Sequence, residues 1–143
     1  MIQKFWGINL KVKNGGTVVL GRQNYNSNGL YIGVNAGQLK IGDYCFFNIN
    51  GAVTCKDRIE IGNNCKFGNN VVIVDHDHNY KNKDSEFLTG PIIIGNNVWV
   101  GANAVILRNT KIGDNSVVGA GTVVKGDFPP DSKIIGYRPK KTV

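Results

Sequence analysis

The chain has 143 residues, of which 41% are hydrophobic, so it fits one compact domain and is not extensively disordered. Its net charge of +7 suits anionic partners, although an ordinary solvated surface explains the charge equally well. No interleaved aromatic residues or reading motif indicate nucleic acid. No apolar run is long enough to cross a bilayer, and the N-terminus lacks the apolar stretch of a signal peptide, so we expect a cytoplasmic protein without a membrane span.

A short phrase recurs along the chain: an aliphatic residue or threonine, any residue, an aliphatic residue, and glycine. The glycines of this phrase are spaced by 21, 20, 33 and 18 residues and are Gly21, Gly42, Gly62, Gly95 and Gly113. Between them, aliphatic residues recur at every sixth position, which fits neither a helix nor a simple alternating strand. A coil of three short strands per turn explains this period. The sequence therefore predicts a single all-β domain over residues 1–143, a parallel β-helix.

The repeat begins weakly. Residues 1–38 carry it least regularly, so we expect irregular N-terminal coils that cap the open end of the stack, with a loop at 24–28. From about residue 39 the rhythm is clear.

The three cysteines are odd in number and form no Cys-x-x-Cys pair, which favours reduced thiols over a zinc knuckle or a dithiol site. Cys45 and Cys65 each follow an aliphatic residue by four positions, where a small side chain would fit a tight corner. We interpret both as core residues. Cys55 falls outside this register.

The 33-residue spacing exceeds one turn of the coil, and the excess is polar. We predict that residues 75–91 form a loop extruded from the coil, which is a usual position for functional residues. The two histidines of the chain, His76 and His78, lie at the start of this loop.

The rhythm is strongest after the loop. The aliphatic positions there are Ile94, Val100, Ile106, Ile112, Val118 and Val124. Small residues follow the first five by four positions and are Val98, Ala104, Thr110, Ser116 and Thr122. The pattern ends at Phe128, so residues 129–143 are predicted to leave the coil as a short C-terminal tail.

The strongest repeats resemble a known family. Ile94-Gly-Asn-Asn-Val-Trp-Val-Gly-Ala-Asn-Ala-Val-Ile, Ile112-Gly-Asp-Asn-Ser-Val-Val-Gly-Ala-Gly-Thr-Val-Val and Asp127-Phe-Pro-Pro are similar to the hexapeptide-repeat acyltransferases. The chain resembles the branch that holds maltose and galactoside O-acetyltransferases and cell-surface polysaccharide O-acetyltransferases. The resemblance implies a left-handed winding and a homotrimer with active sites between subunits. It also implies acetyl transfer from acetyl-CoA, without a metal, to a saccharide hydroxyl of a capsule, O-antigen or related glycan precursor.

Direct acetyl transfer needs a base for the acceptor and a donor for the developing oxyanion. Histidine suits the role of base, since the side-chain pKa of this residue type is about 6.5. The resemblance places the catalytic histidine at His76. His78 faces the same side of an extended segment, so it is an alternative base or a supporting residue. Either Asp75 or Asp77 could orient the imidazole.

The resemblance also implies substrate contacts. Asn50 and Trp99 match acceptor-binding positions, although a coil corner and a subunit interface explain these two residues equally well. The expected contacts to acetyl-CoA lie along the C-terminal coils and are Gly101, Ala102, Gly119, Ala120, Lys125, Arg138, Lys140 and Lys141. Among them, the backbone N–H of Ala102 is the candidate oxyanion donor.

Three alternatives stay open. An amino-sugar or nucleotide-sugar N-acetyltransferase would use the same histidine to deprotonate an ammonium group. A non-catalytic β-helix scaffold needs no histidine. A zinc enzyme of carbonic-anhydrase type needs three histidines, and the chain has two.

Overall fold

The computed structural model describes residues 7–136, which form strands and no helix. The strands, in chain order, are β1 (Asn9–Lys13), β2 (Thr17–Leu20), β3 (Tyr25–Asn26), β4 (Tyr31–Asn35), β5 (Gln38–Ile41), β6 (Phe46–Phe47), β7 (Ala52–Cys55), β8 (Arg58–Ile61), β9 (Lys66–Phe67), β10 (Val72–Val74), β11 (His76–His78), β12 (Phe87–Thr89), β13 (Ile92–Ile94), β14 (Trp99–Val100), β15 (Val105–Ile112), β16 (Val117–Val118), β17 (Val123–Phe128) and β18 (Lys133–Ile134).

The strands stack into a prism with three faces and six turns. The first face contains β1, β4, β7, β10 and the first halves of β15 and β17. The second face contains β2, β5, β8, β13 and the second halves of β15 and β17. The third face contains β3, β6, β9, β14, β16 and β18. Every pairing within the faces is parallel, which confirms the predicted all-β, parallel β-helix.

The aliphatic residues of the six-residue rhythm point into the prism. All six predicted after the loop, from Ile94 to Val124, are buried, as are the five small residues that follow four positions later. The rings of Phe47 and Phe67 stack with centroids 4.5 Å apart in the middle of this core. Burying an aliphatic or aromatic side chain of this size contributes about 1.5–3 kcal/mol, so the repeated inward column is the main stabilising term.

The corners between the second and third faces are held by a ladder of side chains. Asn63 Oδ1 accepts the N–H of Asp43 at 2.8 Å, and Asn96 Oδ1 accepts the N–H of Asn63 at 2.8 Å. Asp114 Oδ1 accepts the N–H of Asn96 at 2.7 Å. The next residue at these corners has a positive φ, as in Asn64, Asn97 and Asn115. The recurring Gly-Asn-Asn and Gly-Asp-Asn phrases are therefore corner signals, because asparagine tolerates this backbone conformation better than most residues.

The cysteines lie in the core as free thiols, as predicted for Cys45 and Cys65. The Sγ of Cys45 donates to the carbonyl of Gly62 at 3.1 Å, and that of Cys65 to the carbonyl of Gly95 at 3.1 Å. Cys55, outside the register, is buried as well, and burial raises the pKa of its thiol to about 12.

Both ends of the coil are more regular than their sequences indicate. The loop expected at 24–28 is wrong, because Tyr25 and Asn26 pair in parallel with Phe46 and Phe47 as part of the third face. At the other end, β18 pairs with β16, so the coil continues to Ile134 and the tail begins later than residue 129. A short strand at either end can form by pairing with the adjacent turn, even where its own sequence carries little of the repeat.

None of the described residues, 7–136, belongs to a helix long and apolar enough to cross a membrane.

Candidate active site at the break in the coil

The segment at 75–91 leaves the coil where the first face meets the second, and it has internal structure of its own. β11 and β12 pair antiparallel, with His76 opposite Thr89 and His78 opposite Phe87. The hairpin is closed at its base by the N–H of Gly90, which donates to the carbonyl of Asp75 at 3.0 Å. The extruded segment is therefore a β-hairpin that fixes both histidines on one strand.

Asp75 is the buried residue at the base of this hairpin. Its side chain is fully buried, and its carboxylate accepts the N–H of Lys56 at 2.7 Å and the N–H of Asp57 at 2.8 Å. The same carboxylate lies 3.0 Å from Nδ1 of His76. Asp75 thus fastens the corner of the preceding turn and holds the imidazole at once.

This contact determines how His76 presents itself. A carboxylate only accepts hydrogen bonds, so Nδ1 carries a hydrogen atom and donates a hydrogen bond to Asp75. In the neutral form of the ring, the other nitrogen, Nε2, is then the acceptor. The side chain of His76 is 17% exposed, which leaves the ring reachable from solvent while its orientation is fixed. The arrangement is that of a general base with an orienting carboxylate.

Asp77 and His78 make other contacts than Asp75 and His76. Asp77 Oδ2 accepts from Nε of Arg108 at 2.7 Å, which ties the hairpin to the next turn of the coil. His78 is exposed and packs against the ring of Phe87, with centroids 4.7 Å apart. Of the two candidate aspartates, the structure therefore places Asp75, and not Asp77, on the ring of His76.

Sequence reasoning missed three residues at this site: Lys56, Phe87 and Arg108. The ring of Phe87 meets His76 edge-on at 5.6 Å, and the Nζ of Lys56 lies 3.9 Å from the centre of the same ring. A lone phenylalanine in an otherwise polar segment was the available signal for Phe87. Nothing in the spacing of Lys56 or Arg108 indicates that they meet the hairpin, because both contacts join different turns of the coil.

A cleft of about 290 Å³ opens beside His76 on the outside of the first face, toward the N-terminal turns. We call it the lysine groove. Its polar lining comprises Lys11, Lys13, Tyr31, Asn35, Thr54, Lys56 and His76. The cleft leaves the side chain of His76 open to approach from one side.

Asn50 and Trp99 lie elsewhere in the same chain. Asn50 has a positive φ of 57° and lies at the corner between the third and first faces. Trp99 lies on the third face, is 57% exposed and pairs with Lys66 and Val117. Within one chain neither residue shares the corner of His76.

Most of the residues expected to bind acetyl-CoA also lie away from the corner of His76. Gly101, Ala102, Gly119 and Ala120 stack at the corner between the third and first faces, where a Cβ on Gly101 would lie only 2.6 Å from the Ala120 nitrogen. Lys125 lies in β17, on the same corner as His76 and two turns later. Arg138, Lys140 and Lys141 fall outside residues 7–136.

No group of three or more histidine, cysteine, aspartate or glutamate residues that could hold a metal ion occurs within residues 7–136.

Two segments of the chain match known protein families. Residues 91–126 match the family described as bacterial transferase hexapeptide (six repeats), and residues 38–74 match the hexapeptide repeat of succinyl-transferase. These matches agree with the left-handed parallel β-helix expected from the sequence.

The chain is also similar to individual proteins. It is 38% identical over 96 residues to galactoside O-acetyltransferase of Escherichia coli, which covers 65% of this chain and 47% of that protein. A hexapeptide-repeat acetyltransferase from Vibrio cholerae has a similar structure, with a TM-score of 0.73 and 28% identity, covering 82% of this chain and 68% of that one. A mutant of AntD, an N-acyltransferase from Bacillus cereus, has a TM-score of 0.73 over 92% of this chain and 80% of its own. At 18% identity, AntD shows only the shared fold. The chain spans about half or less of the relatives that it matches in sequence.

Proposed function

Since the chain belongs to the hexapeptide-repeat family of bacterial transferases, we propose that it transfers an acetyl group from acetyl-CoA to a hydroxyl of a saccharide, with His76 as general base. The acceptor would be a precursor of a capsule, O-antigen or related glycan, and the reaction would take place in the cytoplasm. The observation that carries the proposal is the buried Asp75 carboxylate, 3.0 Å from Nδ1 of a partly exposed His76 at the mouth of a cleft.

The proposed reaction is a direct transfer. Nε2 of His76 takes the proton from the acceptor hydroxyl as that oxygen attacks the thioester carbonyl. The C–S bond of the tetrahedral intermediate then breaks, and the imidazolium returns the proton to the leaving CoA sulfur. Asp75 keeps the ring in the required tautomer and stabilises the transient imidazolium. No covalent acyl-enzyme forms.

The oxyanion donor in this proposal is the N–H of Ala102, and Asn50 and Trp99 contact the acceptor. His76 and Ala102 lie at opposite edges of the first face, separated by about five residues of extended chain, or on the order of 15 Å. One chain therefore cannot bring them to the same atom. We propose a homotrimer in which the corner with His76 of one subunit faces the Ala102 and Trp99 side of the next.

The outer surface of the first face supports such an assembly. Apart from Lys125 at the end of the last turn, its outward residues in the later turns are apolar: Val72, Val74, Val105, Leu107 and Val123. Val123 is 50% exposed in the single chain. An apolar stripe on one side of a prism is expected where subunits pack.

The proposal is tested by a product screen with acetyl-CoA and a panel of sugars, analysed by mass spectrometry. His76→Ala should lower the transfer rate by at least about 10²-fold, the usual contribution of a general base. His78→Ala is the matched control, because it removes a histidine from the same strand that has no bond to Asp75. Nearly full activity in His76→Ala would reject the mechanism, and no CoA binding at all would favour a scaffold.

The same screen separates the rival reaction. A base-labile ester product indicates transfer to a hydroxyl, and a stable amide indicates an amino-sugar N-acetyltransferase.

A further inference from the structure

We propose that the lysine groove binds an anionic substituent of the acceptor, a phosphate or a carboxylate, while the reacting group of the acceptor lies at His76. This inference rests on the proposed function and adds to it the chemical class of the acceptor.

The groove concentrates positive charge. Lys11, Lys13 and Lys56 all line it, and no aspartate or glutamate does. None of these lysines forms an ion pair with a carboxylate of residues 7–136. The carboxylate of Asp75, which contacts His76 at the end of the groove, is occupied by two backbone N–H groups and the imidazole. The lysine charges are therefore available to a ligand.

The second face shows the ordinary alternative. There, Lys40 lies opposite Glu60 in the strand register, and Arg58 lies 3.7 Å from the same glutamate. Basic residues on that face are balanced by an acidic neighbour, which is what a solvated surface usually shows. The groove on the first face has no such acidic neighbour among its lining residues. Its positive charge is therefore a local feature and does not simply follow from the net charge of the chain.

The spacing of the groove suits an elongated acceptor. Lys13 lies opposite Asn35, Lys56 comes one turn later, and His76 one turn after that. Turns lie about 4.8 Å apart, so the column from Lys13 to His76 spans roughly 14 Å. That length accommodates a monosaccharide next to the base and a charged group further along the groove.

The floor of the groove suits a sugar ring. Gly33 lies opposite Lys11, and a Cβ at Gly33 would lie 2.7 Å from the hydroxyl oxygen of Tyr31. The hydroxyl end of the Tyr31 ring thus lies over the position without a side chain. An aromatic plane with a hydroxyl at its edge is a suitable surface for a saccharide, apolar on one side and able to form a hydrogen bond.

Lys56 is held in place for this role. Its Nζ lies 3.9 Å from the centre of the Phe87 ring, and a cation over an aromatic face is attracted and ordered. Because Phe87 also contacts His76, the ammonium group lies near the base without bonding to Asp75. It is positioned to meet an anion close to the reacting group.

The groove lies on the opposite side of His76 from the expected donor residues. His76 follows the first strand of the fourth turn, and the groove is built mainly from the first three turns. Gly101 and Ala102 lie at the end of the fourth turn, and Gly119 and Ala120 at the end of the fifth. The anionic substituent of the acceptor would therefore lie toward the N-terminal end of the prism, away from the donor.

The binding test uses the whole chain, with inorganic pyrophosphate and glucuronate as separate probes, titrated by calorimetry at low ionic strength. The double variant Lys11→Gln/Lys13→Gln should weaken binding of the preferred probe about tenfold or more, since a charge-assisted contact is lost. The control Lys40→Gln, on the second face, should leave it unchanged. A preference for pyrophosphate indicates a phosphorylated or nucleotide-linked sugar, and a preference for glucuronate indicates an acidic sugar. Equal binding by the double variant and the wild type, or no binding of either probe, would overturn the inference.

The kinetic test compares a free sugar, its nucleoside diphosphate derivative and the corresponding uronic acid as acceptors. We expect kcat/KM to be about tenfold or more higher for one of the charged acceptors, with the preference lost in the double variant. If sugars are acetylated without regard to charge, the proposed function stands and this inference fails. If no sugar is acetylated but pyrophosphate binding still depends on Lys11 and Lys13, the proposed function fails and the anion site stands. Displacement of the probe by CoA would assign the groove to the donor and overturn the inference.

Discussion

The corners between the second and third faces and the corner at Asp75 are held in the same way, but the Asp75 carboxylate has two further partners. In the ladder of Asn63, Asn96 and Asp114, each side chain accepts the backbone N–H of the preceding turn. Asp75 does the same for Lys56 and Asp57, but its carboxylate also holds the ring of His76. The ladder fixes only backbone, whereas the Asp75 corner fixes a titratable side chain. A histidine has thus been added to a structural corner at the place where the hairpin interrupts the coil.

The largest effect is expected from removing the negative charge of Asp75. Asp75→Asn keeps one acceptor oxygen but cannot serve both backbone donors and the imidazole. We expect kcat to fall about 10- to 100-fold, with the KM for acetyl-CoA changed little, because the orientation of the base is lost. The free energy of unfolding should fall by about 1–3 kcal/mol, since a buried hydrogen-bonding group loses a partner. Urea denaturation and steady-state kinetics measure the two effects.

The matched change in the ladder is Asp114→Asn, which retains an acceptor for the single N–H of Asn96. It should leave kcat near that of the wild type. If both substitutions lower kcat equally, Asp75 is a structural corner like the others and the comparison fails.

A second experiment tests whether the Asp75 corner is completed by another subunit. His76→Ala and Trp99→Ala are each expected to be poorly active. If a site takes His76 from one subunit and Trp99 from the next, an equal mixture refolded together should regain about a quarter of the wild-type activity, since that share of sites has both residues. The rate of the mixture is compared with that of the separate variants. No recovery would place both residues of each site within one chain.

Much of the fold could be predicted from the sequence, because inward aliphatic residues and small corner residues repeat at fixed intervals. Ile94, Val100 and Ile106 follow that rule and are buried as expected. The pairing of Tyr25 with Phe46 was not predictable in the same way, since a two-residue strand relies on its neighbour and carries little pattern of its own.

The candidate site was predicted in part. The break in the rhythm marked the position of His76, but not the partners of the neighbouring aspartates. Asp75 and Asp77 look alike in the sequence, and only their contacts with other turns of the coil distinguish them. Asp75 accepts the N–H of Lys56 from the preceding turn, and Asp77 accepts from the side chain of Arg108 in the next turn. Contacts between turns depend on the register of stacking, which no local motif encodes.

A smaller effect is expected at the purely structural corners. Asn97 has a φ of 56°, so Asn97→Ala should destabilise the fold by about 1 kcal/mol, because alanine tolerates this backbone conformation less well. Asn97→Gly should be nearly neutral, since glycine has no Cβ to strain. Denaturant unfolding of the two variants compares them directly. Equal losses would mean that the side chain of Asn97, and not its backbone conformation, stabilises the corner.

The smallest effect concerns the buried thiols. Cys45, Cys55 and Cys65 are each at most 1% exposed, and burial raises the pKa of Cys55 to about 12 from the ordinary value of 9.0. At pH 8 almost no Cys55 thiolate is present in the folded protein, so alkylation by iodoacetamide should be negligible until the chain unfolds. Mass spectrometry counts the modified cysteines. Rapid modification of the native protein would contradict the packing of the core.

The most direct test of His76 as the general base is a crystal structure of the protein with CoA bound. We expect the CoA sulfur to lie within hydrogen-bond reach of Nε2 of His76, or one water away, with the pantetheine arm running past Ala102 of a neighbouring subunit. A CoA bound along another corner, with the ring of His76 turned away from its sulfur, would contradict the assignment of the break in the coil as the catalytic centre.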